Sequence, residues 1–204
     1  MGRDSEVDQS KRATLRRFAA LGAASPLVGI AGASESESET PDAIAGYVSA
    51  TPGAHFSKVR DDLKLGTGEA QHHLRELEAD GVVESRKDGD YRRFYPAETF
   101  SEFEQTALGH LRRETLRGVV IALLERPEAT AGEIADRLDV SRPTVSKCAA
   151  TLESAGLLTR EAGYSLVDPE TTLLLLVRYA DSFGDDAAEL AAAAPSLLEY
   201  TGEE

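Results

Sequence analysis

The sequence contains a single cysteine, Cys148, and few lysines. A lone cysteine excludes an internal disulfide and fits a reducing compartment. The 5 lysines accompany 17 arginines, and these 22 basic residues are outnumbered by 36 acidic ones. Taken alone, that excess of acid argues against a partner as negative as DNA.

The acidic excess is distributed unevenly along the chain. Residues 169–204 carry 1 basic and 8 acidic side chains, whereas residues 40–96 carry 8 and 10. The abundance of Arg over Lys, with much Ala, Gly, Asp and Glu, is typical of proteins adapted to molar salt. Such salt screens charges beyond roughly 3 Å. The net charge of −14 therefore does not exclude DNA as a partner.

Motifs for catalysis or metal binding are also lacking. The sequence has no phosphate-binding glycine loop, no nucleophile elbow and no carboxylate pair framed for acid-base chemistry. No H-x-x-H or C-x-x-C pair occurs, and we expect the adjacent His72 and His73 to point to different sides of a helix. These features predict a protein that is not an enzyme and has no metal site, no cofactor and no identifiable small-molecule ligand.

The N-terminal region has a short uncharged run instead of a long apolar one. Arg16 and Arg17 precede the run Phe18–Ala33, which ends in Ala-Gly-Ala and resembles a twin-arginine export signal. The run is too short and too rich in glycine to be a convincing membrane-spanning helix. Two interpretations stay open: an export or membrane-associating segment, and a mobile leader or a start codon placed too early. The acidic run Ser34–Glu39 has no apolar residue and predicts a solvated linker.

The chain contains an internal repeat. Residues 44–85 align with residues 119–160 without a gap, at a constant offset of 75. Because most matched positions are apolar residues, glycine or proline, the repeat predicts two copies of one fold. The identical pairs are Pro52/Pro127, Ala54/Ala129, Asp61/Asp136, Leu63/Leu138, Leu77/Leu152, Glu78/Glu153 and Gly81/Gly156.

The first copy predicts three helices. Ile44 and Val48 belong to a first helix that ends before Pro52, and a second helix covers about Phe56 to Leu63. His55 occupies the position where a capping Thr or Ser is expected, and Thr67 is expected to cap the third helix. The residues of the third helix that are left facing outward are Thr67, Gly68, Gln71, His72 and Arg75.

A β-hairpin is predicted after the third helix. Asp88-Gly89 lies between two β-prone runs, which is a strong hairpin pattern. Four basic side chains cluster on this hairpin, in a chain that is otherwise acidic: Arg86, Lys87, Arg92 and Arg93. A basic hairpin beside the outward helix face suits contact with a sugar-phosphate backbone.

The second copy carries stronger helix-start patterns. Thr130 and Glu133 form a capping box, and Ser141 is expected to cap a helix that has Pro143 in its first turn. The hairpin that follows is shorter, and Arg160 is its one basic residue. Helical periodicity buries Val145 and Leu152 and leaves an outward set of Arg142, Thr144, Ser146 and Lys147.

The connecting segments are predicted to be helical. Apolar residues at helical spacing indicate a linking helix that docks one unit against the other. Four consecutive leucines, Leu173–Leu176, cover more than one helix face, so the surplus favours a homodimer, with packing entirely on the chain itself as the alternative. The predicted segments are a leader and linker (1–39), a first unit (40–96), the linking helix (97–113), a second unit (114–168) and a C-terminal helical segment (169–204).

Both units resemble the winged helix-turn-helix family. The string from Gly66 to Glu78 looks like regulators of extremely halophilic archaea, and Ser141–Lys147 with Leu152–Glu153 resembles MarR- and ArsR-like regulators. The resemblance implies a mainly α fold with small β-hairpin wings. It also implies a cytoplasmic transcriptional regulator of double-stranded DNA, in which the outward residues of each third helix contact bases and phosphates. The alternative is a winged-helix module for protein contacts, exported or membrane-tethered, that binds no DNA.

Overall fold

The computed structural model describes residues 14–18 and 39–197 of the chain. It divides the chain into two compact units between Ser101 and Glu102. Most of the signal-like run and the acidic linker, residues 19–38, lie outside the described residues. Within the described part, no helix is both long enough and apolar enough to cross a membrane.

Residues 39–101 of the first unit form three helices and a three-stranded sheet. The apolar stripe Ala43, Ile44, Tyr47 and Val48 buries the first helix against the third and explains why this segment is helical. The elements are α1 (Glu39–Ala50), β1 (Ala54–His55), α2 (Phe56–Asp62), α3 (Thr67–Ala79), β2 (Val83–Asp88) and β3 (Tyr91–Pro96).

The sheet of the first unit contains the predicted hairpin turn. It also contains a third strand that the sequence pattern did not predict. Asp88 pairs with Tyr91 across a two-residue loop, in which Gly89 adopts a φ of +59°. The additional strand is β1, which pairs antiparallel with β3 and gives the sheet order β1-β3-β2. Two residues are too few to show a periodicity, so only the folded chain reveals this strand.

The core of the first unit also includes part of the N-terminal region. Residues 14–18 are helical. Leu15 is buried in this core, and the ring of Phe18 lies 5.1 Å from that of Tyr47. Arg16 forms an ion pair with Glu39 at 3.0 Å. The arginine pair of the signal-like motif therefore lies on a segment that packs against the first unit.

Two helix caps in the first unit differ from expectation. His55 is itself the N-cap of α2, since its Nδ1 accepts a hydrogen bond from the Lys58 amide at 3.3 Å. Thr67 does not cap α3, because it is already the first helical residue. Gly66 is the N-cap instead, and its amide donates to the Glu69 carboxylate at 3.1 Å. The N-cap of α3 thus lies one residue before Thr67, whose hydroxyl predicted the cap.

The His55 cap predicts a pH-dependent stability of the first unit. Burial, together with the positive charges of Arg93 and Lys58, lowers the pKa of His55. As pH falls, His55 therefore binds a proton in the unfolded chain before it does so in the folded chain. The stabilisation by the His55 cap is complete above about pH 6.5, and it is lost as pH falls towards the lower pKa of His55 in the folded chain. We expect the first unit to lose stability between pH 7.5 and 5, measured by urea unfolding.

His55→Asn provides the comparison for this prediction. Asparagine keeps a capping acceptor but does not titrate, so the pH dependence should flatten while stability at pH 7.5 is largely retained. An unchanged pH dependence in His55→Asn would assign the effect to other groups.

The second unit is built from seven helices and a short hairpin among the described residues. Buried Leu108, Val119, Leu152 and Leu176 are contributed by four different helices of its core. The elements are α4 (Glu102–Leu111), α5 (Glu114–Glu125), α6 (Ala131–Leu138), α7 (Arg142–Ser154), β4 (Leu158–Thr159), β5 (Ser165–Leu166), α8 (Pro169–Arg178), α9 (Ala180–Phe183) and α10 (Asp185–Leu197).

The helix starts predicted in the second unit are confirmed. Thr130 Oγ1 accepts from the Glu133 amide while the Glu133 carboxylate accepts from the Thr130 amide, which completes the capping box. Ser141 Oγ accepts from the Thr144 amide at 3.3 Å. The sequence also predicts a helix within residues 185–200 that is interrupted at Pro195. The interruption is wrong, because α10 continues to Leu197.

The repeat extends to backbone conformation. Gly81 and Gly156 adopt φ values of +70° and +72°, a left-handed conformation that glycine tolerates best. Lys64 and Asp139 are also left-handed, at +56° and +50°, and they too are separated by 75 residues. The residue at the turn before α3 and the one before α7 therefore share this conformation, which aspartate favours and lysine does not.

Candidate nucleic-acid interface

The outward surface of α3 contains the predicted side chains. Thr67, Gln71, His72 and Arg75 are exposed, as is Gly68. The opposite face packs into the core through Ala70, Leu74 and Leu77. Burial of one stripe therefore fixes which residues the helix presents to solvent.

The hairpin of the first unit, which we call wing 1 (residues 83–96), does not present all four of its basic side chains. Arg86, Lys87 and Arg92 are exposed, but Arg93 is only 2% exposed. Arg93 donates to Asp88 at 2.6 Å and to the Gly53 carbonyl at 2.9 Å. Arg93 thus connects the hairpin to the loop before β1. The sequence pattern alone does not predict this buried position.

Arg92 is exposed but already has an acidic partner. Its guanidinium donates to both carboxylate oxygens of Glu78 at 2.7 and 2.9 Å, and to Ser85 Oγ at 2.8 Å. Glu78 is the last-turn residue of α3, and its side chain is only 18% exposed. The ion pair therefore joins wing 1 to α3 and competes with any phosphate for Arg92.

The outward surface of α7 matches the predicted set closely. Arg142, Ser146 and Lys147 are exposed, and Thr144 is half-buried with its hydroxyl 2.9 Å from that of Ser141. The Arg142 guanidinium lies over Gly132, where an added Cβ would approach Nη2 to 3.1 Å. Gly132 therefore leaves the space that this guanidinium occupies.

The second hairpin repeats the connection seen in wing 1. Arg160 of wing 2 (residues 158–166) donates through Nε to the Glu153 carboxylate at 2.7 Å, and Nη2 contacts the same oxygen. Glu78 and Glu153 are an identical pair of the repeat. Neither carboxylate was predicted as a site residue, although the same glutamate at this position in both copies was the available indication.

The histidine pair of α3 departs from the expected geometry. His73 is less exposed than His72, as the repeat predicts, with side chains 20% and 66% exposed. The two rings do not point to different sides, however, because both reach the Glu76 carboxylate, at 3.2 and 3.3 Å.

On α7, burial raises the pKa of the Cys148 thiol, which disfavours the reactive thiolate.

Comparisons with known proteins match the two units separately. A family model described as an N-terminal HTH domain matches residues 38–108, and a MarR family model matches residues 118–164. The chain is 28% identical over 130 residues to an uncharacterized HTH-type transcriptional regulator of Methanocaldococcus jannaschii. That stretch covers 63% of this chain and 32% of the relative, so the chain spans about a third of the relative's length. No solved structure matches the chain.

The two family-model matches and the two folds together show two helix-turn-helix units in tandem. The predicted fold class, mainly helical with small β-hairpin wings, is confirmed, and so is the resemblance of the second unit to MarR regulators. The third helix of each repeat copy, α3 or α7, occupies the position of the recognition helix in this fold.

Proposed function

We propose that the protein is a sequence-specific transcriptional regulator that binds double-stranded DNA through both of its winged helix-turn-helix units. The observation that carries this proposal is the exposed polar face of each recognition helix. Gln71 and Arg75 on α3, and Arg142 and Lys147 on α7, suit base edges and phosphates of a major groove. The name of the archaeal relative supports the same role.

The structure refines the set of residues proposed to contact DNA. Arg86 and Lys87 on wing 1 are exposed beside α3 and are proposed phosphate contacts. Arg93 takes a positioning role, because its guanidinium is buried against Asp88 and Gly53. The remaining contacts proposed are Thr67, Gly68, His72, Arg92, Thr144 and Ser146.

Crosslinking of the protein to chromosomal DNA in its own cells tests the function directly. A sequence-specific regulator should enrich a limited number of sites that share a motif, at the salt concentration of the cell. Absence of enriched sites would contradict the proposal and favour a role in protein contacts.

The Glu78–Arg92 pair leads to a prediction of tighter DNA binding. Glu78→Gln removes a negative charge next to the proposed interface and releases Arg92 from its ion pair. We expect affinity for the enriched site to rise by about threefold to tenfold. The slope of log affinity against log salt should steepen by about 1, the change associated with one more phosphate contact. Fluorescence anisotropy over a salt series measures both quantities.

Glu98→Gln is the matched control for Glu78→Gln. Glu98 is exposed, belongs to the first unit and undergoes the same loss of charge. The control should change affinity by less than about twofold, since an isolated surface charge is strongly screened. Weaker binding by Glu78→Gln would instead show that the ion pair is needed to orient wing 1.

We infer in addition that the protein is a homodimer and acts in the cytoplasm, where its DNA lies. Support for the dimer comes from α8, where Leu174 is 63% exposed beside an apolar groove of about 490 Å³ that includes Leu124, Leu173 and Val177. Exposed leucine on a groove of this kind favours association. A monomeric mass in sedimentation equilibrium at cellular salt would contradict the dimer.

A further inference from the structure

Three metal-ligating side chains come together on the solvent side of α3. His72 Nε2 lies 3.3 Å from Glu76 Oε2, and His73 Nδ1 lies 3.2 Å from the same oxygen. One ligand atom from each of the three residues lies within 4.8 Å of the others. The two imidazole rings are 5.0 Å apart between centroids. This spacing places two nitrogens and one oxygen around a common point.

Helix geometry explains how adjacent histidines reach one carboxylate. Glu76 is four residues after His72 and three after His73, and both separations put side chains on neighbouring parts of a helix surface. The long glutamate side chain therefore lies between the two rings. Because the helix itself sets these positions, no loop has to be ordered when a ligand binds.

We propose that His72, His73 and Glu76 form a binding site for a divalent transition-metal cation such as Zn²⁺, Ni²⁺ or Co²⁺. Two imidazole nitrogens and one carboxylate oxygen are a donor set that these cations accept, with water completing the coordination. Ca²⁺ and Mg²⁺ prefer oxygen ligands, so the two imidazoles select against them.

The partial burial of the site is consistent with reversible binding. His72 and Glu76 are 66% and 52% exposed, which allows a hydrated cation to enter from solvent. His73 is 20% exposed, so its side chain is more buried than that of His72. The site lies on the face proposed to contact DNA, but its metal binding does not depend on that function.

Titration of the metal-free full chain with Co²⁺ tests the site, with visible absorption as the readout and no DNA present. The wild-type protein should show one saturable site with these three ligands. Glu76→Gln should weaken binding by at least about tenfold, because even the loss of an outer-shell group weakens metal sites by that factor. Failure of the DNA proposal would leave this titration unaffected, so the two can be told apart.

His110→Gln is the control, since His110 lies on α4 of the second unit, outside the cluster. It should bind Co²⁺ as the wild type does, and circular dichroism should show all variants equally helical. Absence of a saturable site in the wild type, or equal binding by Glu76→Gln, would overturn the proposal.

Discussion

Replacement of both Arg142 and Lys147 by alanine is expected to weaken DNA binding by about a hundredfold. A good side-chain contact to a base or phosphate contributes about 1 to 3 kcal/mol, so two lost contacts cost about 2 to 6 kcal/mol, a range that includes the roughly 2.8 kcal/mol of this factor. Both side chains are exposed on α7: Arg142 is in its first turn, and Lys147 is on the side opposite the buried Val145 and Leu152. Gel-shift titration on an enriched site, at the salt of the cell, gives the measurement.

A charge-matched variant separates specific contact from net charge. Arg126 and Arg178 are exposed in the same unit but lie on other elements, at the end of α5 and of α8. Their double replacement by alanine removes the same two charges and should weaken binding by less than about threefold. Equal losses in the two double variants would mean that only the overall charge matters, and would sink the assignment of α7 as the recognition helix.

Arg117→Ala is expected to destabilise the second unit by about 3 kcal/mol. Arg117 on α5 is 6% exposed and donates to both Asp186 oxygens at 2.9 and 2.8 Å and to the Leu111 carbonyl at 3.0 Å. Without the Arg117 side chain, the Asp186 carboxylate and the Leu111 carbonyl lose this buried hydrogen-bond donor. Breaking a buried ion pair costs about 3 to 5 kcal/mol, and the 37% exposure of Asp186 places this pair at the lower end.

Native-state hydrogen exchange measures this change within the full chain. Amides of α5 and α10 should exchange about a hundredfold faster in Arg117→Ala, whereas amides of the first unit serve as an internal reference. Arg137→Ala is the control, because Arg137 pairs with Glu125 on the surface of the same unit, and such pairs contribute about 0 to 1 kcal/mol. Comparable acceleration in both variants would contradict a special role of Arg117.

The recognition helices could be predicted because the residues that define their buried and exposed faces are close together in sequence. A buried stripe at helical spacing fixes the outward face, so Gln71 and Lys147 could be placed on the surface from the sequence. The capping box at Thr130 was equally predictable, since its partners are three residues apart. Thr67 shows the limit of such reasoning, because Gly66, which has no side chain, is the N-cap.

The hairpins were less predictable because their contacts are distant in sequence. Arg93 and the Gly53 carbonyl are 40 residues apart, and Arg92 and Glu78 are 14 apart. Periodicity along a strand cannot tell which basic side chain turns to a phosphate and which to an internal carboxylate. Only the folded chain therefore reveals the contacts by which Glu78, Glu153 and Arg93 position the hairpins.

The sequence by itself determined the repeated helix-turn-helix architecture and the faces of its recognition helices. Both follow from residues within one or two helical turns of each other and from the constant offset of the repeat. Tertiary structure alone decided which basic residues of the hairpins remain at the surface and which of them pair with Glu78, Glu153 and Asp88. The physical reason is that these ion pairs depend on side-chain directions across the fold, which sequence spacing does not fix.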